Sequence, residues 1–182
     1  MVEQLGQWIA PLLQTSIMRQ TRRNHGLEHA TVHILSARIP HLSMAGRSDA
    51  GGFVLLGEAK TEQVTAAANE ALRRMKRGEH DLAIHPNCGT NMVTTALLVS
   101  VAALIGVAGA QRAKLWDRLS VVFTLVIMAL FFAPSLGLQL QKHITTDGEL
   151  GELEIVTIRR STIQLPFAAQ PLVVHRVTTR GG

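Results

Sequence analysis

Charge is scarce in this chain, and in two stretches it is missing altogether. Asp, Glu, Lys and Arg make up 17% of the 182 residues, against 47% hydrophobic, whereas soluble domains average about a quarter charged residues. No ionisable residue occurs from Met92 to Ala110, and none from Leu119 to Leu140. Two such gaps argue against a wholly soluble protein. Cysteine occurs once, as Cys88, so no intrachain disulfide framework can form. Repeats and heptads are absent, and polarity is too low for a disordered chain. The pI is about 10.3, yet no basic stripe is interleaved with aromatics, so nucleic acid is not an expected partner. Juxtamembrane positive charge on anionic lipid headgroups accounts for the basicity instead.

What is there points to a bilayer. The nineteen residues Met92–Ala110 would reach about 28 Å as a helix, close to the hydrocarbon thickness of a membrane. Leu119–Leu140 is longer and contains Pro134 and Gly137, which neighbouring helices can accommodate within a span. The short connection Gln111–Arg118 makes the two spans an antiparallel hairpin. Ala102, Gly106 and Ala110 recur every four residues, a spacing that lets membrane helices approach closely. Neither segment carries the polar stripe expected of a helical hairpin buried in a soluble core. Arg73, Arg74, Lys76 and Arg77 before the first span and Lys142 after the second outnumber Arg112, Lys114 and Arg118 between them. That balance places both termini in the cytoplasm by the positive-inside rule.

The rest divides around the hairpin. Residues 1–18 form an apolar segment with Trp8 and Pro11, followed by Arg19, Arg22 and Arg23. It is too short to span and lacks the features of a cleaved signal, so an interfacial helix is expected. Residues 19–91 read as an α+β domain. A helix runs from Asn24 to about Ile39 and ends at Pro40; a Gly-rich turn cluster, Gly46–Gly52, leads into strand-like Phe53–Leu56. A second helix covers Thr61–Lys76, capped by Thr61 and closed by Gly78. Residues 92–140 are the hairpin. Residues 141–182 form a basic segment in which Glu152–Arg160 and Pro171–Thr179 alternate as paired strands. The fold class is thus an α+β integral membrane protein.

The chemistry sits in histidines. His25-Gly26-Leu27-Glu28-His29 places two imidazoles on successive turns of one helix, with Glu28 beside them. This is the H-x-x-E-H order, in which two histidines hold Zn²⁺ and the glutamate serves as general base toward a metal-bound water. A second cluster, His85-Pro86-Asn87-Cys88-Gly89-Thr90, stands just before the first span, where Thr90 or Asn91 could cap the helix. His85, Cys88 or both would complete a tetrahedral set with His25 and His29. Three protein ligands suit catalysis; four suit a closed structural site with Glu28 supporting the ligands. His33 continues the same helix face and is an alternative to His85. A di-iron desaturase is excluded, since such enzymes need several histidine boxes. His41, His80, His143 and His175 read as isolated surface residues. Glu58, Glu62, Glu70 and Glu79 lie downstream, where inverted zincins draw a third ligand. Glu70, however, is placed to pair with Arg73 or Arg74.

On these two motifs the chain resembles the bacterial membrane protein family known as domain of unknown function 6391, whose members share Asn-His-x-Leu-Glu-His-Ala-Thr-Val-His. The landmarks His25, Gly26, Glu28, His29, then His85, Pro86, Cys88, Gly89 and Thr90 are also similar in order to the family of unknown function 1385. His33 departs from the latter pattern, which favours His85 and Cys88 as ligands. The resemblance covers roughly residues 20–140 and implies an integral membrane protein with a metal site; it carries no activity with it. The expectation is a zinc-binding protein of the bacterial inner membrane, either a peptidase-like hydrolase or a non-catalytic subunit or assembly factor. Its partners would be the bilayer and another membrane protein or a second copy of itself.

Overall fold

The computed structural model of the chain describes residues 1–108, 115–164, 166 and 170–182. They form two compact units, one built from Glu3–His85 with Lys142–Gly182 and the other from Pro86–Gln141.

The first unit begins with two short helices, α1 (Val2–Trp8) and α2 (Ala10–Leu13), and the long α3 (Ser16–Arg38). The helix expected from Asn24 therefore starts eight residues earlier, because the polar run Arg19–Arg23 continues the turn begun at Ser16. A tight hairpin follows, β1 (Ala45–Asp49) and β2 (Gly52–Leu56), then α4 (Thr61–Lys76) and a 3₁₀ turn, His80–Ala83. Lys60, one residue before the expected cap, is the N-cap of α4, and the Gln63 side chain accepts its backbone N–H at 3.0 Å. Gly78, with φ of 101°, closes the other end as the sequence indicates. After the second unit the chain returns through β3 (Glu154–Ile163) and β4 (Leu172–Arg180).

The alternating carboxyl-terminal segments do pair, and β4 also pairs antiparallel with β2. The result is one four-stranded sheet in the order β1-β2-β4-β3. That long-range pairing joins residues 19–91 to 141–182. Helix α3 packs on β1 and β2, and α4 packs on α3 and β3. Between them lies a core of Leu27, Leu35, Phe53, Leu55, Met75 and Val177, all essentially buried. Each such side chain contributes about 1.5–3 kcal/mol by leaving water. The opposite sheet face is polar: Arg47, Val54, Arg176 and Arg159 form one cross-strand row, and Arg176 chelates Asp49 through two hydrogen bonds of 2.6 and 2.8 Å.

In the second unit α5 (Gly89–Val107) packs on α6 (Leu115–Leu140), and a π turn, Gln141–Thr145, extends the latter. Two stretches, Gly89–Val107 and Arg118–Thr145, are long and apolar enough to cross a membrane. Pro134 lies inside α6 without ending it. Gly106 sits where an added Cβ would come within 2.6 Å of Val122, so its role is close approach. Ala110, Gln111, Arg112 and Lys114 lie outside the described residues. The cap of α5 is Cys88, not Thr90 or Asn91: its Sγ accepts the Thr90 N–H at 3.4 Å.

One histidine departs from expectation. His175 is fully buried on β4, not a surface residue. Its ring contacts the Thr61 hydroxyl at 3.3 Å, and its Nδ1 has no hydrogen-bond partner. Burial, reinforced by Arg160 and opposed by Glu58, lowers its pKa. The unfolded chain therefore binds a proton more readily than the folded one, so stability falls as pH drops through the ordinary histidine range. In His175→Leu the loss of stability between about pH 7 and about pH 5 is expected to be smaller than in the wild type. Denaturant titrations of the two proteins at matched pH would check this.

Candidate metal centre

Histidines at 25, 29 and 33 recur every four residues, so each turn of α3 rotates the next by about 40° and all three share one face. The chain leaves the first unit at His85 and re-enters at Lys142, and this face grips both junctions. His25 Nδ1 lies 3.0 Å from the carbonyl of Thr145. His29 Nδ1 lies 2.7 Å from that of Ala83, and His33 Nε2 lies 2.8 Å from that of Ile84. A carbonyl only accepts, so in each pair the ring nitrogen carries the proton and donates. The other nitrogen of a neutral ring then keeps its lone pair: Nε2 in His25 and His29, Nδ1 in His33. Metal-binding histidines are commonly oriented in this way.

Gly26 is what lets the junctions come so near. A Cβ there would overlap the Asp147 carbonyl and fall 3.2 Å from the Ala83 side chain. Arg22 adds to the grip, donating to the Thr146 carbonyl at 2.9 Å, while the Asp147 N–H donates to the Arg22 carbonyl at 3.1 Å.

The imidazoles form a row. His25 and His29 have ring centroids 4.3 Å apart, His29 and His85 5.8 Å, and His85 and His33 4.5 Å. The structure thus brings His85 beside both His29 and His33. Burial, with His33 and His29 as neighbours, lowers the His85 pKa to about 4, so this ring is neutral near pH 7. Cys88, buried at the N-cap of α5, follows His85 by three residues.

Glu28 is 5% exposed and reaches β1. The Ser48 hydroxyl donates to its Oε2 at 2.6 Å, and Gly46 leaves the room it occupies, since a Cβ there would overlap the carboxylate. Burial raises the Glu28 pKa, with Ser48 and the nearby His25 opposing. A carboxyl group shifted upward in this way is better matched to proton transfer near neutral pH. Sequence reasoning missed Gly46 and Ser48, which lie in a cluster that reads as turn chemistry. It also passed over Asn24, which is fully buried. Its amide donates to the carbonyls of Asp49 and Ala50, and its Oδ1 accepts from Thr179, tying α3 to the hairpin and to β4. Glu70 is an ion-pairing residue, as its surroundings in sequence indicate, with Arg38 and Arg74 as partners.

The chain belongs to the family described as Domain of unknown function (DUF6391), whose model matches residues 20–158. It is 38% identical over 137 residues to an uncharacterised protein of Picosynechococcus sp. (strain ATCC 27264 / PCC 7002 / PR-6), a match covering 69% of this chain and 65% of that relative. The chain therefore spans somewhat less than two thirds of that relative's length. No solved structure matches.

Ser48→Ala removes the hydroxyl that donates to the Glu28 carboxylate. It is expected to cost about 1–3 kcal/mol of unfolding free energy, the usual penalty for stranding a buried polar group. Unfolding curves in detergent, with exposed Arg47→Ala as control, would measure it.

Proposed function

We propose that this chain is a zinc-binding integral membrane protein that catalyses hydrolysis, of a peptide bond in the first instance. The observation that carries the reading is the orientation of His25 and His29. Each gives its Nδ1–H to a backbone carbonyl and keeps Nε2 as a donor atom. With Cys88 as the expected thiolate, the ligands would be a nitrogen–thiolate set, which suits Zn²⁺. Three residues of chain reach at most about 11 Å, so covalent connection alone keeps Cys88 within range of His85. His85 is the remaining ligand, or His33 in its place. Bound zinc would supply an activated water and polarise a carbonyl. Glu28, buried and raised in pKa, would take the proton from that water and pass it to the leaving amine, with Ser48 holding its carboxylate in place.

A second reading has its own support. The same histidines fasten the carbonyls of both junctions, which is what a structural metal staple in a small membrane subunit would require. In either case the two apolar helices would lie in the inner membrane. The charge balance puts both termini in the cytoplasm, with a membrane protein or a second copy as partner.

Protein purified in detergent without a histidine tag is expected to hold close to one zinc per chain, and His29→Ala and Cys88→Ala are each expected to lose it. Absence of metal from folded wild-type protein would remove both readings. Glu28→Gln then separates them. Retained zinc with hydrolysis abolished supports the enzyme, whereas loss of zinc or of stability, with no hydrolysis detectable in the wild type, supports the staple.

A further inference from the structure

We propose, building on the membrane reading above, that residues 5–17 are seated in the headgroup–acyl boundary of one leaflet and hold the histidine row at the bilayer surface. The segment is inside out for a soluble protein. Its inward positions are Gly6 and Leu13, both buried. Its outward positions are Leu5 and Trp8 on α1 and Leu12 on α2, three and then four residues apart, with Trp8 85% and Ile17 69% exposed. Breaks at Ile9 and at Gln14–Thr15 divide it into pieces far shorter than the roughly 20 residues a span needs.

Its position says what covers it. A Cβ on Gly6 would come within 3.1 Å of the His143 carbonyl, and His143 lies in the last turn of the membrane-length helix Arg118–Thr145. The exposed stripe therefore begins where that helix ends, which is the level of the headgroups if the helix spans. Tryptophan is enriched at that level, and a short apolar face followed by Arg19 and Arg22 suits it. From Ile17 to His25 is eight residues of one continuous helix, about 12 Å. His25 is in turn bonded to the carbonyl of Thr145, the last residue of the same membrane-length helix. A substrate for the histidine row would be met at the bilayer surface, presented by the membrane.

The test uses the full chain with Trp116→Phe, which leaves Trp8 as the single tryptophan, reconstituted into phosphatidylcholine–phosphatidylglycerol vesicles. Trp8 emission is expected to fall about twofold in vesicles whose lipids are brominated just below the headgroup, because an interfacial ring sits roughly 5–10 Å deep. Lipids brominated near the chain ends should quench it less, and acrylamide little. Strong acrylamide quenching with no bromolipid effect would overturn the proposal. Shielding from both quenchers would overturn it equally, since a protein surface, such as a second copy, would then cover the stripe. Carbonate extraction of the same vesicles tests the membrane reading separately. Release of the chain there would sink that reading itself, whereas retention with Trp8 in water would sink only the interfacial seat.

Discussion

The first unit is interrupted, and the rest of the structure depends on how that interruption is held. Its sheet is completed only by β4, which lies beyond the inserted pair of apolar helices. The ends of a 3₁₀ turn and of a π turn, with the residues that follow them, Ala83–His85 and Thr145–Asp147, must therefore run beside α3, and buried carbonyls there need donors. Helix α3 cannot supply them from its own backbone, whose N–H groups are used within the helix. It supplies them from side chains, at every fourth residue on one face: His25, His29 and His33. Gly26 removes the side chain that would hold the junctions off.

Neighbouring positions on α3 fasten the helix to the sheet with the same economy of groups. Asn24 binds both the β1–β2 turn and Thr179 of β4. One turn further on, Glu28 takes the Ser48 hydroxyl across the gap left by Gly46. A carboxylate buried without charged neighbours would cost several kcal/mol. Its raised pKa, tempered by Ser48 and His25, is the expression of that cost. Glu28 thus joins the helix to the sheet while remaining close to His25.

Local pattern made much of this legible in the sequence. The charge gaps located both membrane-length helices, the helical spacing located α4, and the alternation located β3 and β4. His25, Glu28, His29 and His85 stood out because their residue types and spacing are unusual on any helix or turn. What stayed hidden was long-range. The pairing of β2 with β4 closes a loop of more than a hundred residues, and no local period records it. The burial of His175 follows from that pairing alone. Gly46 and Ser48 were invisible for the same reason: a Gly-Arg-Ser-Asp run is ordinary turn chemistry until β1 is laid against α3.

Histidine is the residue that reconciles the two readings of the site. Lysine or arginine on the same face could donate to the junction carbonyls, but each would bring a fixed charge into a half-buried row whose consecutive rings stand 4.3–5.8 Å apart. Asparagine could donate without charge, but its remaining oxygen is a poor ligand for a transition metal. Neutral imidazole donates through one nitrogen and offers a lone pair on the other. The bond to the backbone also sets the tautomer and turns the second nitrogen in a fixed direction. A row selected to fasten the junctions is therefore already oriented for a metal ion, and a metal bound there would tighten the junctions further. The proposed hydrolysis would ask one more group of this row, a base, and Glu28 is the buried carboxyl near His25, its pKa raised by burial and its carboxylate accepting from Ser48.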